Sequence, residues 1–142
     1  MKSYTDIEQS CKLVEILPLE SADMRYGYIA PYEFSDRMYD GGYDKVPYPK
    51  DFLKLCADFC EEDLYDGSLR CWSLSALLEY LREIDLFPNI IDSGDLVLMD
   101  ISFYDDEEGK VLHPIHSLRV EGKTILDACV EMIVKLHEQK VL

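Results

Sequence analysis

Near the N-terminus, apolar residues recur every three to four positions, which is the spacing of an amphipathic helix. We predict a helix from Asp6 to about Leu17, and Pro18 marks its end. Thr5 and Glu8 form a T-x-x-E capping box in front of it. The face expected to be buried consists of Ile7, Cys11, Val14 and Leu17.

Two further helices are predicted in the middle of the chain. The first covers residues 49–64, where proline is tolerated in the first turn. The second begins at Ser73, and Trp72 is spaced to form a hydrophobic staple with Leu77. This assigns Trp72 to the core rather than to a binding site. The expected buried positions are Phe52, Cys56, Phe59 and Cys60 in the first helix, and Leu74, Leu77, Leu78, Leu81 and Ile84 in the second.

A last helix is predicted after Gly122 and runs to the C-terminus. Thr124 and Asp127 form its cap pair. Its apolar stripe consists of Ile125, Cys129, Met132, Ile133 and Leu136.

Residues 96–104 and 111–121 are extended segments with partial alternation of apolar and polar residues, separated by the turn-like residues 105–110. They predict an antiparallel hairpin in which Val97, Met99, Ile101 and Phe103 share one face. Pro114 indicates an edge strand or a bulge. The predicted class is α+β, with three to four helices packed on a small antiparallel sheet or hairpin, in a single domain over 1–142.

The segment at about 24–48 has the most unusual composition, because it holds six of the ten tyrosines. It forms either a short hairpin with a turn at Gly41–Gly42 or an ordered surface loop. Exposed tyrosines suit a recognition surface, whereas inward rings would form part of a core. The candidate partner-binding residues are Tyr26, Tyr28, Tyr32, Tyr39, Tyr43 and Tyr48.

The net charge of −15 is spread over the whole chain, and no basic cluster is present. This argues against direct binding to nucleic acid or to an anionic membrane, while mimicry of nucleic acid stays open. The sequence shows no secretory signal and no apolar run long enough to span a bilayer. A cytoplasmic location is therefore expected.

Five cysteines, an odd number, lie in apolar segments, which favours reduced core thiols over a disulfide framework. Cys56 and Cys60 are spaced to share one helix face, but no second pair completes a zinc site. No metal and no cofactor is therefore predicted. The remaining cysteines are Cys11, Cys71 and Cys129.

Motifs for nucleotide binding, for a serine nucleophile and for an EF-hand loop are missing from the sequence. The one place where two imidazoles come close is His113 and His116, with Pro114 between them. With Asp100 across the predicted hairpin, they are candidate acid, base or metal ligands. We favour a non-catalytic protein, and this constellation is the enzymatic alternative.

Three segments, at residues 4–25, 71–82 and 125–142, carry a resemblance to a known group of proteins. They read YTDIEQSCKLVEILPLESADMR, CWSLSALLEYLR and ILDACVEMIVKLHEQKVL. Together they resemble small acidic proteins encoded by phages and other mobile elements of gut bacteria. The resemblance implies a host context and no catalytic residues.

The leading hypothesis is a non-catalytic acidic binding protein of phage or mobile-element origin. It would engage a host protein with a basic surface, such as a defence or regulatory factor, through the tyrosine-rich segment. The alternative is a small-molecule-binding protein or a metal-dependent enzyme with a cleft near the 96–121 hairpin. A homo-oligomer that buries the tyrosines in its own interface is a third hypothesis.

Overall fold

The computed structural model describes residues 2–29, 32–49, 68–104, 114–140 and 142. Within these ranges there are three α-helices: α1 (Ile7–Val14), α2 (Leu74–Glu83) and α3 (Ile125–Glu138). The strands of the first half are β1 (Met24–Tyr26), β2 (Tyr28–Ile29), β3 (Tyr32–Phe34), β4 (Arg37–Tyr39), β5 (Gly42–Tyr43), β6 (Tyr48–Pro49) and β7 (Leu69–Cys71). Those of the second half are β8 (Asn89–Asp92), β9 (Val97–Tyr104) and β10 (Pro114–Gly122).

The chain divides into two compact units. The N-terminal unit is Asp6–Ser73, and the C-terminal unit is Leu74–Leu142 together with the residues up to Thr5. Two contacts tie the first residues to the C-terminal unit: the Leu74 amide donates to the Ser3 carbonyl, and Lys2 Nζ lies 2.7 Å from an Asp127 carboxylate oxygen. The single-domain hypothesis stays a prediction.

In the N-terminal unit, α1 packs against β7, which belongs to an antiparallel sheet of order β6–β1–β7. The capping box of α1 lies one residue later than predicted. The Gln9 amide donates to the Asp6 carboxylate at 2.8 Å, and the Gln9 side chain accepts from the Asp6 amide. The sequence offers T-x-x-E and D-x-x-Q in consecutive registers, and both satisfy the capping pattern.

The buried face of α1 also differs from the prediction. Ser10, Leu13 and Leu17 are buried, whereas Ile7 and Cys11 are exposed. Ser10 and Leu13 lie three residues apart and share a face of α1, whereas Leu17 follows the helix end, where its amide donates to the Leu13 carbonyl at 2.8 Å. Because Ser10 is polar, a count of apolar residues does not identify it as a buried position. The prediction of a core thiol at Cys11 is therefore wrong, while Cys71 and Cys129 are buried as expected.

In the C-terminal unit, the antiparallel sheet has the order β10–β9–β8, and α3 packs across β9 and β10. The predicted hairpin is confirmed, with Val120 opposite Met99 and Leu118 opposite Ile101. Val97, Met99 and Ile101 form the buried face. The register shifts between Pro114 and His116, so β10 is both an edge strand and bulged.

The predicted caps of the last helix are confirmed, because Thr124 Oγ1 accepts from the Asp127 amide at 3.1 Å. The end of α2 has Asp85 in the left-handed region with φ 61°. There the Leu86 amide donates to the Leu81 carbonyl and the Asp85 amide to the Arg82 carbonyl. These two bonds are those of a Schellman motif and satisfy carbonyls at the helix end.

The α+β class is confirmed by the described helices and the two small three-stranded sheets. The helix predicted over 49–64 lies outside the described residues, except for Pro49, which belongs to β6. Strand β8 was not predicted. It consists of four exposed residues before the Ser93–Leu96 turn, too short a run to show a period.

Candidate functional site

Strands β1 to β6 form one nested antiparallel hairpin from Met24 to Pro49, which we call the tyrosine hairpin. Its outermost ladder pairs β1 with β6, the next pairs β2 with β5, and the innermost pairs β3 with β4. The two inner ladders keep the same register, while two extra residues on the returning strand separate them from the outer one. The hairpin alternative for this segment therefore describes the structure, and the surface-loop alternative does not.

The tip of the tyrosine hairpin is formed by Ser35 and Asp36, not by the predicted Gly41–Gly42 turn. Both tip residues have positive φ, 51° and 63°, between the paired residues Phe34 and Arg37. Positive φ at both central residues is the requirement of a two-residue type I′ turn. Gly42 is instead a strand residue opposite Ile29.

At its base, the tyrosine hairpin is held by side-chain hydrogen bonds within the N-terminal unit. Asp23, just before β1, accepts from both the amide and the hydroxyl of Ser73. Arg25 Nη1 donates to Ser68 Oγ at 2.9 Å. These bonds fix β1 between its two neighbouring strands.

Trp72 is fully buried beside this base, which confirms its assignment to the core. Its indole Nε1 donates to Ser21 Oγ at 2.9 Å, and the Ser21 hydroxyl donates to the Pro18 carbonyl at 2.6 Å. The Arg70 guanidinium lies 6.0 Å from the ring centroid, within cation–π range. The indole thus serves packing and has its one donor satisfied.

Gly27 lies where the outer ladder gives way to the inner ones. The Asp44 amide donates to the Gly27 carbonyl at 2.9 Å. A Cβ at Gly27 would lie 2.4 Å from an Asp44 carboxylate oxygen and 3.4 Å from the Tyr48 ring. Glycine therefore leaves room for the present position of the Asp44 carboxylate, which is the end of an exposed side chain.

The six candidate tyrosines divide by exposure. Tyr28 and Tyr43 are cross-strand partners that are 43% and 38% exposed, with ring centroids 5.1 Å apart and planes at 54°. Tyr48 is half-buried. Tyr26 is 2% exposed, so it is a core residue and is not part of the candidate surface. Of Tyr32 and Tyr39 the structure describes the backbone, which makes them cross-strand partners.

Other exposed groups surround the tyrosine pair. Met38 in β4 is 70% exposed, and Val46 after β5 is also exposed. Neither residue stands out in the sequence, because the short strands give no period that indicates exposure. The exposed charged residues of the hairpin are mostly acidic: Glu33, Asp36, Asp40 and Asp44, against Arg37 and Lys45.

Of the alternative site, the structure describes Asp100 and the backbone of His116, and its assembly stays a prediction. Asp100 lies opposite Arg119, whose guanidinium donates to both carboxylate oxygens at 2.9 and 3.2 Å. These hydrogen bonds lower the pKa of Asp100 and raise that of Arg119. His116 is paired with Phe103 on the backbone, and His113 lies outside the described residues. Asp100 is thus committed to an ion pair.

Beside β10 lies an open cavity of about 450 Å³, lined by Arg119, Val120, Glu121, Glu131 and Lys135. Charged side chains form most of this lining, unlike the mainly apolar walls of typical small-molecule sites. Within the described part of the chain, no group of three His, Cys, Asp or Glu residues is placed to hold a metal ion. None of the described helices is long and apolar enough to cross a membrane.

Comparison with family models, with curated proteins and with solved structures finds no match to this chain. The interpretation of the tyrosine hairpin therefore depends on its own geometry. Paired, solvent-facing tyrosines offer flat apolar surface together with hydroxyl groups at a small cost in side-chain entropy, a combination common in protein recognition.

Proposed function

We propose that this chain is a non-catalytic acidic binding protein that engages another protein through the tyrosine hairpin. The observation that supports this most directly is the exposed Tyr28–Tyr43 pair on adjacent strands. A buried pair would be explained by the stability of the hairpin alone. An exposed pair leaves apolar ring surface that a partner can cover.

The chemistry of the partner follows from charge. The chain carries a net −15, and the exposed charged residues of the hairpin are four acidic against two basic. A partner with a basic surface would associate faster than a neutral one, and added salt would weaken the complex. The resemblance to phage and mobile-element proteins suggests that this partner is a host protein, such as a defence or regulatory factor.

The test is an affinity pull-down from host lysate at low and near-physiological salt, comparing the natural chain with a Tyr28→Ala, Tyr43→Ala double variant. We expect one near-stoichiometric partner that salt weakens and the double variant loses. Leu19→Ala is the matched control, because it removes an exposed apolar side chain that belongs neither to the tyrosine hairpin nor to its ladders. Circular dichroism checks that each variant is folded.

A second variant separates ring contacts from hydrogen bonds. Tyr28→Phe with Tyr43→Phe keeps both rings and removes both hydroxyl groups. It should retain the partner if ring surface dominates and lose it if the hydroxyls contribute most. Equal capture by the natural chain and the alanine double variant would refute the assignment of this surface. Light scattering that shows a stable dimer, lost in the same variant, would instead favour the homo-oligomer.

A further inference from the structure

Strand β8 is the end strand of its sheet among the described residues, and all four of its residues are exposed. The direction of its free backbone groups follows from the adjoining turn, where the Ser93 amide donates to the Leu96 carbonyl at 3.0 Å. Hydrogen-bonded and non-hydrogen-bonded pairs alternate along an antiparallel ladder. Since Ser93 forms a hydrogen-bonded pair with Leu96, Ile91 forms the next one, and the pairs made by Asp92 and Ile90 are not hydrogen-bonded. The amides and carbonyls of Ile90 and Asp92 therefore point away from β9, towards the outer edge.

The two edges of this sheet are built differently. The β10 edge contains Pro114 and a bulge, devices that discourage pairing with another strand. Strand β8 has neither within its four residues, and it carries two β-branched apolar residues, Ile90 and Ile91. Ile91 is 55% exposed, and the preceding Phe87 is 65% exposed. This edge thus combines free backbone groups with uncovered apolar side chains.

The charged residues near β8 indicate which kind of strand could pair with this edge. From Glu83 through Leu98 the chain has four carboxylates and no lysine or arginine. A second copy of the chain would bring these carboxylates close to their counterparts, which is unfavourable. A segment that alternates lysine or arginine with apolar residues would complement both charge and apolar surface. The four exposed carboxylates are Glu83, Asp85, Asp92 and Asp95.

We propose that β8 is a docking edge for an extended basic segment of a partner protein, which adds to the sheet as a fourth strand. In this mode, main-chain hydrogen bonds supply affinity and alternate side chains supply specificity. The proposal concerns a different surface from the tyrosine hairpin and does not depend on it.

The probe is a blocked synthetic peptide of alternating lysine and valine, titrated into the natural chain by calorimetry. Alternating glutamate and valine is the charge control, and an all-lysine peptide is the control for non-specific attraction. We expect only the lysine–valine peptide to bind with higher affinity than the all-lysine control. Its binding should also shift the amide signals of β8 in NMR spectra. Binding no tighter than that of the all-lysine peptide would overturn the proposal.

The decisive variant is Ile90→Pro, which removes an outward-facing amide while leaving the ladder to β9 intact. It should weaken lysine–valine binding about tenfold or more, whereas Ile90→Val, which keeps the amide, should not. The exposed position 91 gives a second pair: Ile91→Lys should weaken binding more than Ile91→Glu. Equal affinities for all four variants would refute strand addition.

Two further outcomes separate this proposal from the others. A dimer detected by light scattering and abolished by Ile90→Pro would make the occupant a second copy and overturn the basic segment. The Tyr28→Ala, Tyr43→Ala variant should bind the peptide as the natural chain does. Loss of peptide binding in that variant would contradict the independence of the two surfaces.

Discussion

The tyrosine hairpin and the β9–β10 hairpin are both antiparallel, yet different forces specify them. In β9 and β10, eight- and nine-residue strands place Val97, Met99 and Ile101 in a core covered by α3. The inner ladders of the tyrosine hairpin have only two or three residues per strand and expose Tyr28 and Met38. Burial fixes register in the first, whereas turn geometry and aromatic pairing fix it in the second.

The largest expected contrast comes from one methionine in each hairpin. Met99 is fully buried, so Met99→Ala should lower the free energy of unfolding by about 2–5 kcal/mol, through lost burial and a new cavity. Met38→Ala, at an exposed position, should change it by less than about 0.5 kcal/mol. Urea unfolding followed by circular dichroism measures both. Similar losses for the two variants would contradict the comparison.

A glycine from each hairpin gives the next contrast. A Cβ at Gly122 would lie 2.5 Å from the Ala128 backbone nitrogen at the start of α3, so Gly122→Ala should cost about 1–3 kcal/mol. Gly42 has no atom near that position and no positive φ. Gly42→Ala should therefore be neutral or stabilise by about 0.4–1 kcal/mol. The same urea series tests this, and a stable Gly122→Ala variant would refute tight packing of α3 on β10.

A buried cysteine in α3, the helix that covers β9 and β10, should make the free energy of unfolding depend on pH. Burial raises the pKa of Cys129 from 9.0 to about 12. The unfolded chain then loses this proton first, so the stabilisation is complete below pH 9 and declines as pH rises towards 12. The slope from this group is about 1.4 kcal/mol per pH unit.

Two cysteine variants isolate that slope. Cys129→Ala should unfold with a shallower decline above pH 9 than the natural chain, whatever its stability at neutral pH. Cys11→Ala, at an exposed position, should keep the natural slope. Identical pH profiles for the natural chain and Cys129→Ala would refute a buried neutral thiol.

The smallest effect is expected at the tip of the tyrosine hairpin. Asp36→Gly should stabilise the hairpin by about 1 kcal/mol, because glycine adopts positive φ without the penalty of a Cβ. Asp36→Ala removes the same carboxylate and keeps the penalty, so it should not stabilise. Amide hydrogen exchange of the inner-ladder residues measures both. Faster exchange in the glycine variant than in the natural chain would refute the turn assignment.

Sequence patterns predict best the elements whose side chains are buried in a core. The alternation in residues 96–104 and the Thr124 cap are visible in the sequence, because burial and capping directly restrict the residue types at those positions. The tip at Ser35–Asp36 was missed, since neither residue is the asparagine or glycine that type I′ turns prefer. Gly41–Gly42 resembles a turn but lies in or beside a strand, and pairing partners are not encoded locally.

The candidate site was predicted only in part for the same reason. Composition drew attention to the tyrosines, but exposure separates Tyr28 and Tyr43 from Tyr26, and exposure depends on which strands flank each residue. Likewise, the pairing of Asp100 with Arg119 depends on the strand register, which no local pattern in the sequence shows. Strand register and burial depend on residues far apart in the sequence, so local patterns do not show them.

The burial of Trp72 has a practical consequence for every experiment that follows unfolding. It is the only tryptophan of the chain, and it belongs to the N-terminal unit. Its emission therefore reports on the surroundings of one buried side chain, whereas tyrosine emission comes from both units. A red shift of the indole spectrum marks exposure of Trp72 beside the base that carries the tyrosine hairpin, and it can be followed without any label.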